Sequence, residues 1–178
     1  MKYKIALVGC GRISFKHIEA YDNNTDKLIM TAACDPVTER AQAKVDEYKK
    51  SVGTAEVSIF ADYKEMLKNA KPDIVTIATE SGKHRDIAID CLNAGCHVIC
   101  EKPMALSTAD AADMIEAAKK NGKKLAVCFQ NRFNAPVRKM REAYEKGRFG
   151  RVLHGMIQIR WNRNESYYSE APWRGTWE

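Results

Sequence analysis

The 178-residue sequence predicts an α/β fold, a doubly wound parallel sheet followed by the truncated start of an α+β open-sheet domain. Three observations predict it. Short, continuously apolar runs alternate with helical patterns as far as Phe129, as parallel strands covered on both faces require. The stretch "GCGRIS" (9–14) joins the first apolar run to the first helical pattern. Beyond about residue 129 the apolar period shortens to two, which describes a strand with one wet face. The predicted boundary divides a first domain, 1–129, from the incomplete beginning of a second, 130–178.

The elements follow in order. "KIALVG" (4–9) is the first strand, and residues 12–22 carry the first helix. "LIMTAACD" (28–35) is a strand, followed by a charged helix from about Val37 to Lys50. "VSIFA" (57–61) and "DIVTIAT" (73–79) are strands flanking the short helix "DYKEMLKNA". A helix from about His84 to Ala94 stops at Gly95, and "HVIC" (97–100) follows as a strand. Ser107 caps the next helix with Asp110 at capping-box spacing, and Gly122 closes it before the strand "KLAVCF" (124–129). A helix over 135–146 then leads to "RVLHGMIQIRWN" (151–162), where Leu153, Ile157, Ile159 and Trp161 alternate with polar residues. His154 falls on the polar face of that predicted strand, and His17 and His97 read as structural. The tryptophans 161, 173 and 177 and the tyrosines 167 and 168 crowd into this tail. One strand cannot bury that much aromatic surface, so the rest of the second domain is expected to be missing or supplied by another chain.

Composition narrows the class. Hydrophobic residues at 45% and charged residues at 29% describe an ordinary globular chain. No apolar run approaches the roughly 20 residues that span a bilayer, so no membrane partner is expected. The N-terminal "MKYKIALVGCG" runs into glycines instead of a secretory cleavage site. Six cysteines (10, 34, 91, 96, 100 and 128) lie mostly in apolar strand-like contexts, with no CxxC pair and no metal-type histidine spacing. They read as reduced core thiols, which predicts a cytoplasmic protein and no metal. The net charge of +6 concentrates at helix ends, at 49–50 and 119–124, without a basic stripe interleaved with aromatics. That argues for solvated surface and against a nucleic-acid partner.

The glycine stretch carries the first chemistry. It fits G-x-G-x-x-G with Ser14 in place of the third glycine. Gly9 permits a tight turn, and Gly11 lets the backbone approach a pyrophosphate at a helix N-terminus. Arg12 and Ile13 belong to the same predicted cofactor-binding turn. Asp35 ends the second strand, 24 residues after Gly11, where an acid binds the adenosine ribose hydroxyls. A carboxylate there repels a 2′-phosphate, so NAD is expected over NADP. A simple turn residue before Pro36 is the competing reading of Asp35. Together these features predict a dinucleotide-binding Rossmann domain.

"VGCGRISFKH", "ACDP", "DIVTIATESGKHRDIAIDCLNAGCHVICEKPMAL" and "FQNRFNAPV" resemble the Gfo/Idh/MocA oxidoreductases across nearly the whole chain. The Glu-Lys-Pro segment is the most specific part. The resemblance implies a Rossmann domain followed by an open antiparallel-sheet domain, with the active site between them and oligomerisation through the open sheet. It implies that Lys102 lies beside the nicotinamide and the reacting hydroxyl as the catalytic residue. By the same resemblance Glu101 touches the nicotinamide ribose and Pro103 fixes the turn that aims Lys102. Thr79, Ser81 and His84 would line the cofactor, and Gln130 and Arg132 would close the site from the domain junction. Glu80 stands where the family often has proline. The residues alone leave His84 open between a helix cap and a cofactor contact.

The chemistry can be argued separately. Oxidising a secondary alcohol requires hydride transfer and removal of a hydroxyl proton. A lysine with an ordinary pKa of about 10.4 is a donor at neutral pH, and a neighbouring carboxylate keeps it so. Lys102 therefore suits orienting and polarising the oxygen, with another base taking the proton. The resemblance implies a histidine base after a glycine-rich turn in the second domain, which the sequence to Glu178 does not contain.

The tail "RWNRNESYYSEAPWRGTWE" is similar to the branch of the family that oxidises nucleotide sugars such as UDP-N-acetylglucosaminuronate at C3. Arg160, Arg163 and Arg174 could pair with carboxylate or phosphate, and Trp161, Tyr168 and Trp173 could stack on a sugar. A hydrophobic sheet face with solvated arginines is the bland alternative. The sequence thus predicts an NAD-dependent sugar or nucleotide-sugar dehydrogenase, inactive as this piece alone and a homo-oligomer when full-length. A non-catalytic NAD-binding regulator on the same fold is the rival, and the presence of Lys102 argues against it.

Overall fold

A computed structural model describes residues 1–176, so Trp177 lies outside the described residues. The chain divides into two compact units, Met1–Cys128 and Phe129–Glu178.

In the first unit six strands alternate with five helices: β1 (Tyr3–Val8), α1 (Ser14–Asp22), β2 (Leu28–Cys34), α2 (Thr38–Val52), β3 (Ser58–Phe60), α3 (Tyr63–Ala70), β4 (Ile74–Ile77), α4 (His84–Asn93), β5 (His97–Cys100), α5 (Thr108–Lys120) and β6 (Leu125–Val127). All pair in parallel, in the order β3-β2-β1-β4-β5-β6. Strand order therefore reverses between β1 and β4, the crevice at which doubly wound sheets bind ligands.

Successive residues of β1 serve opposite layers, as a strand buried on both faces must. Ile5 and Leu7 pack with Ile18 and Tyr21 of α1 and Val45 and Tyr48 of α2. Ala6 and Val8 pack with Met66 of α3, Leu92 of α4 and Met114 of α5. The helix ends follow local chemistry. Asp62 caps α3 by accepting from the Lys64 and Glu65 amides, and Ser107 caps α5 by accepting from the Asp110 amide. Gly95 and Gly122, with φ of +87° and +62°, turn the chain after α4 and α5. Five of the six thiols are buried and all six are unpaired. Burial, helped by the Asp35 carboxylate, pushes the Cys10 thiol up to about 12. These are core thiols.

The second unit differs from the sequence expectation. It holds a 3-10 turn (Gln130–Phe133), α6 (Ala135–Glu145), the short helix α7 (Glu165–Ser169) and a 3-10 turn (Pro172–Gly175). The strand expected over 151–162 does not form: residues 152–164 have no regular structure. A strand needs a neighbour for its amides and carbonyls, and none is formed among the described residues of this unit. His154 thus has no sheet face to occupy, and Leu153, Ile157 and Trp161 stand 81%, 90% and 73% exposed.

Candidate cofactor site

Gly9 leaves β1 with φ +88°, and its amide donates to Cys34 O at 2.9 Å. A Cβ there would sit 2.6 Å from Ala78 C and 2.7 Å from Thr79 N. Gly9 is therefore required where the loop after β1 touches the end of β4, a role beyond the tight turn read from sequence. Gly11 is the opposite case, because a Cβ would meet nothing within 4 Å. Its open face is where the sequence puts a pyrophosphate. Ser14 is fully buried and its hydroxyl donates to Gly11 O at 2.5 Å, which explains a small polar residue in the third glycine position. The N-cap of α1, Ile13, supplies no side-chain cap, and the Ser14 and Lys16 amides donate to Gly11 O at 3.2 Å and Ile13 O at 3.0 Å. Arg12 and Ile13 are exposed on that loop.

Asp35 lies just past β2 and is 6% exposed. One carboxylate oxygen accepts the Cys10 amide and the other the Val37 amide, each at 2.9 Å. The acid fastens the glycine loop to the end of β2, a structural role that its predicted ribose contact did not include.

Across the crevice, half-buried Thr79 lies two residues past β4, and half-buried Ser81 opens a 3-10 turn. His84, which the residues left open between a helix cap and a cofactor contact, lies at the start of α4. The residue is 1% exposed, with Nδ1 2.8 Å from Pro103 O and Nε2 3.2 Å from Thr79 O. Both ring nitrogens face carbonyls, so His84 ties the Glu-Lys-Pro turn to the end of β4 from below.

β5 delivers the turn itself. The Glu101 amide donates to Ile77 O at 2.9 Å, which fixes the backbone at the sheet edge. Its carboxylate points inward: Oε1 lies 3.0 Å from His17 Nε2, and Oε2 accepts the Lys102 amide at 3.2 Å. Burial alone would raise this carboxyl, but the His17 hydrogen bond and charge, with the Lys102 amide and ammonium, hold it below its ordinary value. Glu101 thus has a protein partner in His17, which sequence reading treated only as structural. The available signal was position, since His17 follows Ser14 by one helical turn on the buried face that also holds Ile18 and Tyr21. Lys102 is exposed, and the Lys102–Pro103 peptide is cis.

Within the second unit, Gln130 and Arg132 are exposed on a 3-10 turn, the Arg132 guanidinium 5.9 Å from the Phe129 ring centre. Arg163 lies over Trp161 at 4.9 Å and over Tyr167 at 4.7 Å, and Arg174 lies over Tyr167 at 4.5 Å. Arg174 also donates to Tyr167 O at 2.6 Å, and its side chain is 11% exposed, so it braces α7. Arg160, Trp161, Tyr168 and Trp173 are exposed.

Residues 3–129 match the GFO_IDH_MocA profile, described as an oxidoreductase family with an NAD-binding Rossmann fold. The chain is 32% identical over 158 residues to inositol 2-dehydrogenase of Salmonella typhimurium, covering 87% of this chain and 46% of that protein. It is 34% identical over 149 residues to D-glucoside 3-dehydrogenase of Escherichia coli, covering 84% and 41%. Among solved structures it is similar to the WlbA dehydrogenase from Bordetella pertussis in complex with NADH and UDP-GlcNAcA, with TM-score 0.92 and 37% identity, covering 99% of this chain and 52% of that one. The chain spans about half the length of the curated relatives it matches.

Proposed function

The chain belongs to the GFO_IDH_MocA oxidoreductase family, and on that premise we propose that the protein is an NAD-dependent dehydrogenase of a secondary alcohol in a sugar or nucleotide sugar. One observation carries the reading. Lys102 stands exposed on a turn held by the Glu101 amide and by His84, at the strand edge that also bears the open face of Gly11. A flexible ammonium on a fixed backbone is suited to holding an oxygen in one place.

Bound NAD would supply the hydride acceptor. The loop of Gly9, Gly11, Arg12 and Ile13 would hold its pyrophosphate, with Asp35, Thr79, Ser81 and Gln130 as further cofactor contacts. The open space before Gly11 fits such a ligand. Asp35 keeps a carboxylate at the end of β2, which disfavours a 2′-phosphate and so favours NAD over NADP. Lys102 donates to the substrate hydroxyl and polarises it, while a base outside this chain's first unit removes the proton. Residues 1–129 are the cofactor domain and 130–178 the beginning of the substrate and oligomerisation domain. Arg132, Arg160, Trp161, Tyr168 and Trp173 are the side chains we assign to a charged sugar ligand, and likeness to a dehydrogenase bound to UDP-GlcNAcA supports a nucleotide sugar.

The test is the full-length protein with NAD and either UDP-GlcNAcA or myo-inositol. Lys102→Met is expected to lower kcat by about 10²–10⁴-fold while NADH still binds. Turnover unaffected by Lys102→Met would overturn the assignment, and NADH binding with no turnover on any sugar would leave a binding protein.

A further inference from the structure

We propose that His17, Glu101 and Cys128 form a site for a divalent cation of the zinc class. One ligand atom from each residue lies within 4.8 Å of the other two, and His17 Nε2 is 3.0 Å from Glu101 Oε1. Tetrahedral zinc with bonds of about 2.0–2.3 Å spaces its ligands roughly 3.3–3.7 Å apart, so side-chain movements of about 1 Å close the triad on an ion. Three elements supply the donors: α1, the end of β5 and the end of β6. Their backbones are fixed, because the Glu101 amide donates to Ile77 O and the Cys128 amide to Cys100 O, each at 2.9 Å. Only side chains need to move.

The donor set suits zinc better than magnesium or calcium. It offers one imidazole nitrogen, one carboxylate oxygen and one sulfur, three protein ligands with a fourth position left for water. Thiolate and carboxylate together balance the dication, so the loaded, largely buried site is neutral, and the thiol proton and any proton on His17 Nε2 pass to solvent on binding. The site was invisible as a motif because its ligands are spread over 17, 101 and 128 in the sequence.

The consequence for regulation rests on the proposed function; the metal site itself does not. Glu101 precedes Lys102 on the turn beside the proposed cofactor site, so an ion that holds its carboxylate denies it to the nicotinamide ribose expected there. Zinc is then an inhibitor that competes with NADH.

The experiment uses the purified protein and cobalt(II) as a spectroscopic probe, followed by zinc. One equivalent of cobalt should produce thiolate-to-metal charge-transfer absorption, and one equivalent of zinc should abolish it. Cys128→Ala should remove the band, and Cys128→Ser should weaken binding without disturbing the fold. Zinc at ten times its own Kd should raise the apparent Kd for NADH about tenfold in the parent protein and leave it unchanged in Cys128→Ala. No charge-transfer band, or a band that survives Cys128→Ala, overturns the site. A band with unaltered NADH affinity overturns the regulatory consequence alone. Failure of NADH to bind even without metal counts against the proposed function and leaves the metal result standing.

Discussion

Two glycines of one loop do different work, and a methyl group separates them. At Gly9 an added Cβ would fall 2.6–2.7 Å from the backbone of Ala78 and Thr79, at a φ of +88°. Neither strand can yield, because β1 and β4 are paired along the sheet. Gly9→Ala should therefore lower stability by about 2 kcal/mol or more in urea unfolding. At Gly11 the same methyl enters open space at an unstrained φ. Gly11→Ala should unfold at the parent urea concentration within about 0.5 kcal/mol, yet bind NADH about tenfold more weakly or worse, a loss of about 1.4 kcal/mol. Calorimetry on the two variants checks both halves. A destabilised Gly11→Ala, or one that binds as the parent does, removes the pyrophosphate assignment. The spacing of the motif was legible in the sequence, but it could not say which glycine serves the fold and which faces a ligand. That difference depends on residues nearly 70 positions away, at the end of β4.

Elements were legible where their signals are local. Apolar runs, the Ser107 cap with Asp110 and the glycines after α4 and α5 mark their own boundaries, and the structure follows them. Pairings between elements were not legible. His17 meets Glu101 across 84 positions, and His84 meets Pro103 O across 19, so no window of sequence contains either contact. The expected strand at 151–162 failed for a related reason: alternation specifies a face, but only a neighbouring strand can use it. His84 now gives α4 an assignable role as the peg joining the ends of β4 and β5. His84→Phe keeps most of the volume and leaves a buried carbonyl without its donor, which should cost about 1–3 kcal/mol. Hydrogen exchange should quicken at residues 79–83 and 101–106 and stay unchanged in β1 and β2. Uniform quickening through the sheet would mean that His84 is a core residue and not a local tie.

At the scale of the whole molecule, cohesion resides in one unit. Both apolar cores are built from residues between Ile5 and Leu125, on the two faces of a six-stranded sheet. Among the described residues, neither core includes one from the second unit, and α6 has no buried residue. Met140, Tyr144, Leu153, Met156, Ile157 and Trp161 are all more than half exposed there. Burial of apolar area supplies most of the favourable free energy of folding, so removing Phe129–Glu178 takes away little of it. A sheet of this size with helices on both faces is large enough to fold by itself. The fragment Met1–Cys128 should therefore melt in one cooperative transition, within about 5 °C of the 178-residue chain. It should also keep the Gly11-dependent part of NADH binding, because that loop and its supports lie wholly inside it. Dye binding to exposed apolar surface should fall in the fragment, since the groove lined by Val137, Met140, Tyr144 and Leu153 goes with the deleted segment. A fragment that melts without cooperativity, or far below the parent, would show that the second unit stabilises the sheet through contacts and that the boundary at Cys128 does not separate two folding units.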